Sequence, residues 1–394
     1  MTFILLIAVA YLMSVIAFAN RVDSKKRKPA RQYALSYPYR VDEIPVEQAA
    51  VAEGPSSPLR TIVKVMLLGI VAVLVLTAVN SLLLAFAPAD TLQDAPITDL
   101  DTRTALTVTL VGIGAAIVCS VIILSTAARR ALSSLLGPKA EFDPDASVHE
   151  TAFVLAIAIL AYTLMELMLA GGVAGLAENL EQQAIGAVDT LLNLGVMVVA
   201  AFLGVGLLVR RSLPSVMQRL SLRLPTGQDI TWGIGTAFLC LVLVMVFSAV
   251  LSLIFSAETL EQQSAAAEQV ARALSGSLTL IFLAAFSAAV GEEILFRGAL
   301  QPVFGLIPTT IFFGLLHSQY AFTPGSAAIL VVGLAFGILK QRQSTTAAII
   351  AHFTYNFVLL GLLFIAVWAE EAGLVPDAVE SMIYLTLPII PLSA

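Results

Sequence analysis

Residues 291–301 read GEEILFRGALQ, two adjacent carboxylates and an arginine at the end of an almost wholly apolar run. Two of the three histidines also lie in apolar surroundings, His317 in IFFGLLHSQY and His352 in IIAHFTYNFV, where Asn356 follows one turn later. Ionisable groups inside a membrane segment are costly and mark function by default. One buried histidine is an ordinary core residue. Glu292, Glu293, Arg297, His317, His352 and Asn356 together, on three helices, predict a single wet cavity. Their types suit hydrolysis: a carboxylate and a histidine around one water give general-base chemistry. Burial makes a carboxylate a stronger base. A second histidine and an amide can donate to a developing oxyanion. The same groups suggest zinc as the alternative, with Glu292, His317 and His352 as ligands and a water in the fourth position.

Helical geometry sorts the roles. Neighbouring residues on a helix point about 100° apart, so Glu292 and Glu293 cannot do the same work. Arg297 lies four residues after Glu293, which predicts a structural ion pair, with the arginine snorkelling to the membrane surface. Glu292 remains for chemistry. His352 and Asn356 share a face, and Phe313 and His317 repeat the spacing with the ring as packing. At 1.5 Å per residue, Glu292, His317 and His352 fall roughly 10–13 Å below one surface. The Gly298–Pro302 stretch is read as the turn toward the His317 helix.

These residues must be held by membrane helices. Of 394 residues, 59% are hydrophobic and 12% are Asp, Glu, Lys or Arg, about half the charged share of a soluble protein. Mean hydropathy is +0.94. Apolar runs predict an all-α polytopic transmembrane bundle of about ten spans, at 2–19, 62–87, 105–127, 152–173, 190–209, 231–256, 275–300, 308–322, 326–339 and 345–368. The eighth and ninth are short for a bilayer. Of the 21 Lys and Arg, all but Arg103 and Arg272 fall on one side of this topology. That side is cytoplasmic by the positive-inside rule, which puts both termini outside. The first run has its charge after it rather than before it, as an uncleaved anchor would.

The predicted organisation is a membrane region at 1–270 with six spans and a flexible basic linker at 20–61, a catalytic core at 271–370, and a short interfacial tail at 371–394. Elsewhere polar residues read as structural. Glu166 is expected to bond a neighbouring helix, His149 to be a surface residue, and Cys119 and Cys240 to be buried thiols. Nothing indicates nucleic acid.

The strings EEILFR, FGLLH and HFTYN resemble, in order and without departure, the EExxxR, FxxxH and HxxxN motifs of the CPBP family, the CAAX-protease and bacteriocin-processing intramembrane endopeptidases. The resemblance covers about residues 275–365. It implies peptide-bond hydrolysis within the membrane, with Glu292 and His317 activating water and His352 and Asn356 at the oxyanion. Glu293 and Arg297 are then structural support. A metal-free mechanism is favoured, because Asn356 is a better donor than zinc ligand. The expected substrate is a membrane-associated protein or peptide. The expected location is the plasma (inner) membrane if the source is bacterial, with the site facing the cytoplasmic half of the bilayer. The alternative is a non-catalytic membrane scaffold or bacteriocin-immunity protein that keeps the polar cluster structurally. A proton-coupled transporter ranks lower, since no inverted repeat is visible.

Overall fold

In lipid every backbone polar group must be met internally, so apolar runs of this length fold as helices. The computed structural model describes residues 2–36, 58–87, 101–181, 186–256, 260, 274, 277–318 and 325–373. Among them are helices and connecting turns, with no strand. In chain order the helices are α1 (Thr2–Ser36), α2 (Pro58–Ala85), α3 (Thr102–Leu124), α4 (Thr126–Leu136), α5 (Ser147–Leu169), α6 (Gly172–Glu181), α7 (Ala187–Gly204), α8 (Leu213–Arg219) and α9 (Gly227–Ile254). Then follow α10 (Leu278–Phe304), α11 (Leu306–Leu316), α12 (Gly325–Arg342) and α13 (Thr345–Glu371).

Nine of the described helices are long and apolar enough to cross a bilayer. Ten were expected, and the difference is α11. It has 11 residues, so it rises about 16 Å, roughly half the ~30 Å hydrocarbon core. The predicted eighth span reached 322 because the sequence stays apolar to Leu316. The helix instead stops at His317, whose ψ of 72° leaves the helical region. The chain reverses between α10 and α11 at Gly305, not over Gly298–Pro302, which remains helical. Gly305 has φ +90°, a conformation glycine adopts without a Cβ penalty.

Two other expectations shift. The basic stretch after residue 20 continues α1 to Ser36, so that part of the expected linker is helical. Residues 37–57 and the tail beyond 373 lie outside the described residues. His149 is not a plain surface residue. It opens α5, its Nδ1 accepts the Asp143 N–H at 2.9 Å, and its ring lies 5.9 Å from Phe142. Glu166 accepts from Tyr162 on its own helix at 2.5 Å, not from a neighbour. Both cysteines are buried and free.

Three packed cores organise the bundle. One joins α1, α2, α3 and α5 through Val15, Leu67, Cys119 and Val154. The second joins α9 to α10, α11, α12 and α13 through Cys240, Phe296, Phe313, Phe336 and Tyr355. The third packs α7 and α8 on the end of α10, through Ala201, Val216 and Ile294.

Polar ties fasten one end of the bundle. Arg129 is buried and donates to the carbonyls of Ile122, Ile123 and Pro144, closing the end of α3. Asp23 of α1 accepts the N–H groups of Ser147 and Val148 at the start of α5. Buried Asp229 is held by Arg223, Thr226 and Ser344, joining the start of α9 to the α12–α13 connection.

A close approach of α2, α3 and α5 tests the packing of the N-terminal helices. A Cβ at Gly112 would stand 2.8 Å from Ala78 Cβ, 3.0 Å from Met165 Sδ and 3.2 Å from the Leu74 carbonyl. Gly112→Leu should therefore destabilise the protein by about 1–3 kcal/mol, read as a lower melting temperature in detergent. Gly114 has open space around it, and Gly114→Leu should leave the melt nearly unchanged.

Candidate active site

Three elements supply the predicted site residues. Helix α10 is α-helical to Glu292 and widens into a π-helix over Glu293–Leu300. Such widenings are rare and concentrate at functional sites. Helix α11 delivers His317 at its C-terminus, and α13 delivers His352 and Asn356 from its second and third turns. Glu292, Glu293, Arg297, His317, His352 and Asn356 are all buried, His317 being the most exposed at 5%.

Glu293 is the hub. Its Oε2 takes the Arg297 Nε–H at 3.3 Å, the expected i,i+4 pair. Its Oε1 takes the His352 Nδ1–H at 2.9 Å, across 59 positions of sequence. That second bond was not expected, because local spacing says nothing about which distant helix arrives opposite. Arg297 does not snorkel. It is 0% exposed, and its guanidinium carbon lies 4.6 Å over the Phe313 ring. Its Nη1 and Nη2 make no hydrogen bond, so the aromatic face and the Glu293 charge hold the cation. Room for it comes from Gly333 of α12, where a Cβ would stand 3.3 Å from Nη2 and 3.0 Å from Phe313. One turn on, Gln301 donates to the Gly337 carbonyl at 2.9 Å.

Phe313 binds the cluster together. Its ring lies 4.6 Å from that of His317 and 6.4 Å from that of His352. Its carbonyl is 2.7 Å from His317 Nδ1. A carbonyl only accepts, so His317 Nδ1 carries the hydrogen, and in the neutral ring Nε2 is the lone pair. Buried Nε2 of His317 makes no hydrogen bond. His352 differs: its Nδ1 faces a carboxylate, and its Nε2 is likewise buried without a hydrogen bond. The two histidines are thus prepared as unlike groups by what their Nδ1 atoms meet.

Residues 274–358 match the family of type II CAAX prenyl endopeptidases described as Rce1-like. This segment is a CAAX-type intramembrane endopeptidase domain. No curated protein and no solved structure matches the chain. With nine helices long enough to span among the described residues, the chain is an integral membrane protein and a peptide-bond hydrolase of that class. Every residue of the polar cluster falls inside the endopeptidase domain.

The zinc alternative fits poorly. No group of three or more His, Cys, Asp and Glu side chains among the described residues could hold a metal ion. Glu292, His317 and His352 are therefore not gathered as a zinc ligand set in this structure.

The unlike settings of the two glutamates give a direct test. Glu293→Ala strips the buried Arg297 and His352 of their shared carboxylate. It should cost about 3–5 kcal/mol and lower the melting temperature in detergent markedly. Glu292→Gln keeps the shape of its side chain and should melt close to the wild type.

Proposed function

We propose that the endopeptidase domain hydrolyses a peptide bond of a membrane-associated protein or peptide, with Glu292 and His317 activating water. The observation that carries the reading is the Nδ1 bond of His317 to the Phe313 carbonyl, which leaves Nε2 as a basic lone pair in a buried pocket. Water attacks the scissile carbonyl carbon as its proton passes to Glu292, with His317 Nε2 orienting it through a hydrogen bond. The C–O bond forms, and the carbonyl oxygen becomes an oxyanion. His352 Nε2–H and the Asn356 amide donate to that oxygen. Collapse breaks the C–N bond, and the proton held by Glu292 passes to the leaving nitrogen. In this scheme Glu293 and Arg297 are positioning residues, with Glu293 setting the ring of His352.

Preorganised donors in a dry site are each worth about 10²–10³ in rate. The location that goes with this reading, for a bacterial source, is the plasma (inner) membrane, the basic end cytoplasmic and the site in that half of the bilayer.

The test is a comparison of membrane peptides from cells carrying wild-type, Glu292→Gln and His317→Ala proteins. Fragments present with the wild type should vanish in both variants, with both proteins still inserted. Asn356→Ala should slow their formation about 10²–10³-fold. Identical peptide sets, with the biological effect of the protein intact in both variants, would leave the scaffold reading standing instead. A zinc chelator should not change the wild-type fragments.

A further inference from the structure

The endopeptidase match ends at residue 274 on its N-terminal side, yet α10 does not stand alone. A cavity of about 650 Å³ lies between α1, α5 and α7 on one side and α10 and α11 on the other. Its N-terminal wall includes Met13, Ile16, Leu155, Ala156, Val196 and Met197. Its opposite wall is Leu295, Phe296, Ala299, Phe312 and Leu316. The cavity thus borders the helix turn that follows Glu292 and the residue that precedes His317. At Gly291 a Cβ would stand 3.1 Å from Met197 Sδ, so a lining residue of α7 touches the position next to Glu292. The other end opens among His149, Asp143, Glu141, Arg210, Arg211 and Arg219.

We propose that this cavity receives an apolar polypeptide segment of the substrate, so that the N-terminal helices supply the selecting wall for the reaction proposed above. The inference rests on that reaction being proteolysis. Two observations favour a peptide over a lipid chain. Thr151 lines the cavity, is 1% exposed, and its hydroxyl makes no hydrogen bond. Asn193 adds an amide to the same lining. A hydrocarbon chain leaves the buried Thr151 hydroxyl unmet, which is costly. A peptide backbone offers donors and acceptors along its length. The mouth also carries charges of both signs, which suits the polar flank of a polypeptide better than a headgroup of one sign. The volume lies within the ordinary range for a ligand site, ~300–1,000 Å³.

The experiment uses full-length Glu292→Gln protein in detergent and a fluorescent Ala/Leu decapeptide with charged ends, read by anisotropy. Ala156→Trp from α5 and Ala200→Phe from α7 each fill the cavity and should abolish binding. Two walls are tested so that one misfolded variant does not decide the matter. Thr151→Val should weaken binding about fivefold, the loss of one hydrogen bond. Leu243→Trp on the exposed face of α9 should change nothing. Undiminished binding in both filled variants overturns the proposal. So does displacement of the peptide by palmitate or phosphatidylethanolamine at lower concentration than by unlabelled peptide, with Thr151→Val silent, which would mark a lipid site. The two readings fail separately. Peptide that binds here but is never cleaved by the wild type sinks the protease and leaves the cavity standing. Cleavage that survives both filled variants does the reverse.

Discussion

A single buried carboxylate, Glu293, organises the end of this bundle. It sits between Arg297 on its own helix and His352 on α13. Arg297 has no water to fall back on, and its charge would be prohibitive alone in this environment. The constraint runs outward from there. Arg297 needs a flat electron-rich face, which Phe313 provides, and a gap in α12, which Gly333 leaves. Phe313 in turn fixes α11 against α10, and its carbonyl sets the ring of His317. One charge thus dictates the relative placement of four helices, and the chemistry inherits its geometry from that requirement.

The π-helical stretch is the backbone counterpart of the same constraint. A wider turn over Glu293–Leu300 changes the angular spacing of side chains just where Glu293, Arg297 and Gln301 must all reach α12 or α13. The helix is held in that form from outside. Gly298 lies against the Leu220 carbonyl, where a Cβ would stand at 3.2 Å. Leu220 also accepts from the Thr345 hydroxyl at the start of α13. The N-terminal region is therefore part of the frame that keeps α10 in register with α13.

What could be read from residues alone follows the range of the interactions. The pairing of Glu293 with Arg297 was legible because i,i+4 neighbours share a face whatever surrounds them. So was the helical architecture, since lipid leaves little alternative. The bond from Glu293 to His352 was not, because 59 residues separate them and no local pattern encodes which helix lies opposite. The fate of Arg297 failed for the same reason: snorkelling is the default for a lone arginine near a helix end, and only Phe313 and Gly333 make burial tolerable. The short α11 was misjudged because apolar composition continues to Leu316, while the stop is imposed by the ring and carbonyl that His317 engages. Gly305 was the local signal for the reversal.

A helix that ends at mid-membrane does more than carry a side chain there. Aligned peptide dipoles leave roughly half a negative charge at a helix C-terminus. In most membrane helices that end lies at the surface, where salt and water blunt it. In α11 it lies at His317, away from both. The ring meets that negative pole directly, its Nδ1 lying 2.7 Å from the Phe313 carbonyl. The half-length of α11 thus sets a fixed partial negative charge beside His317, which strengthens its Nε2 as an acceptor.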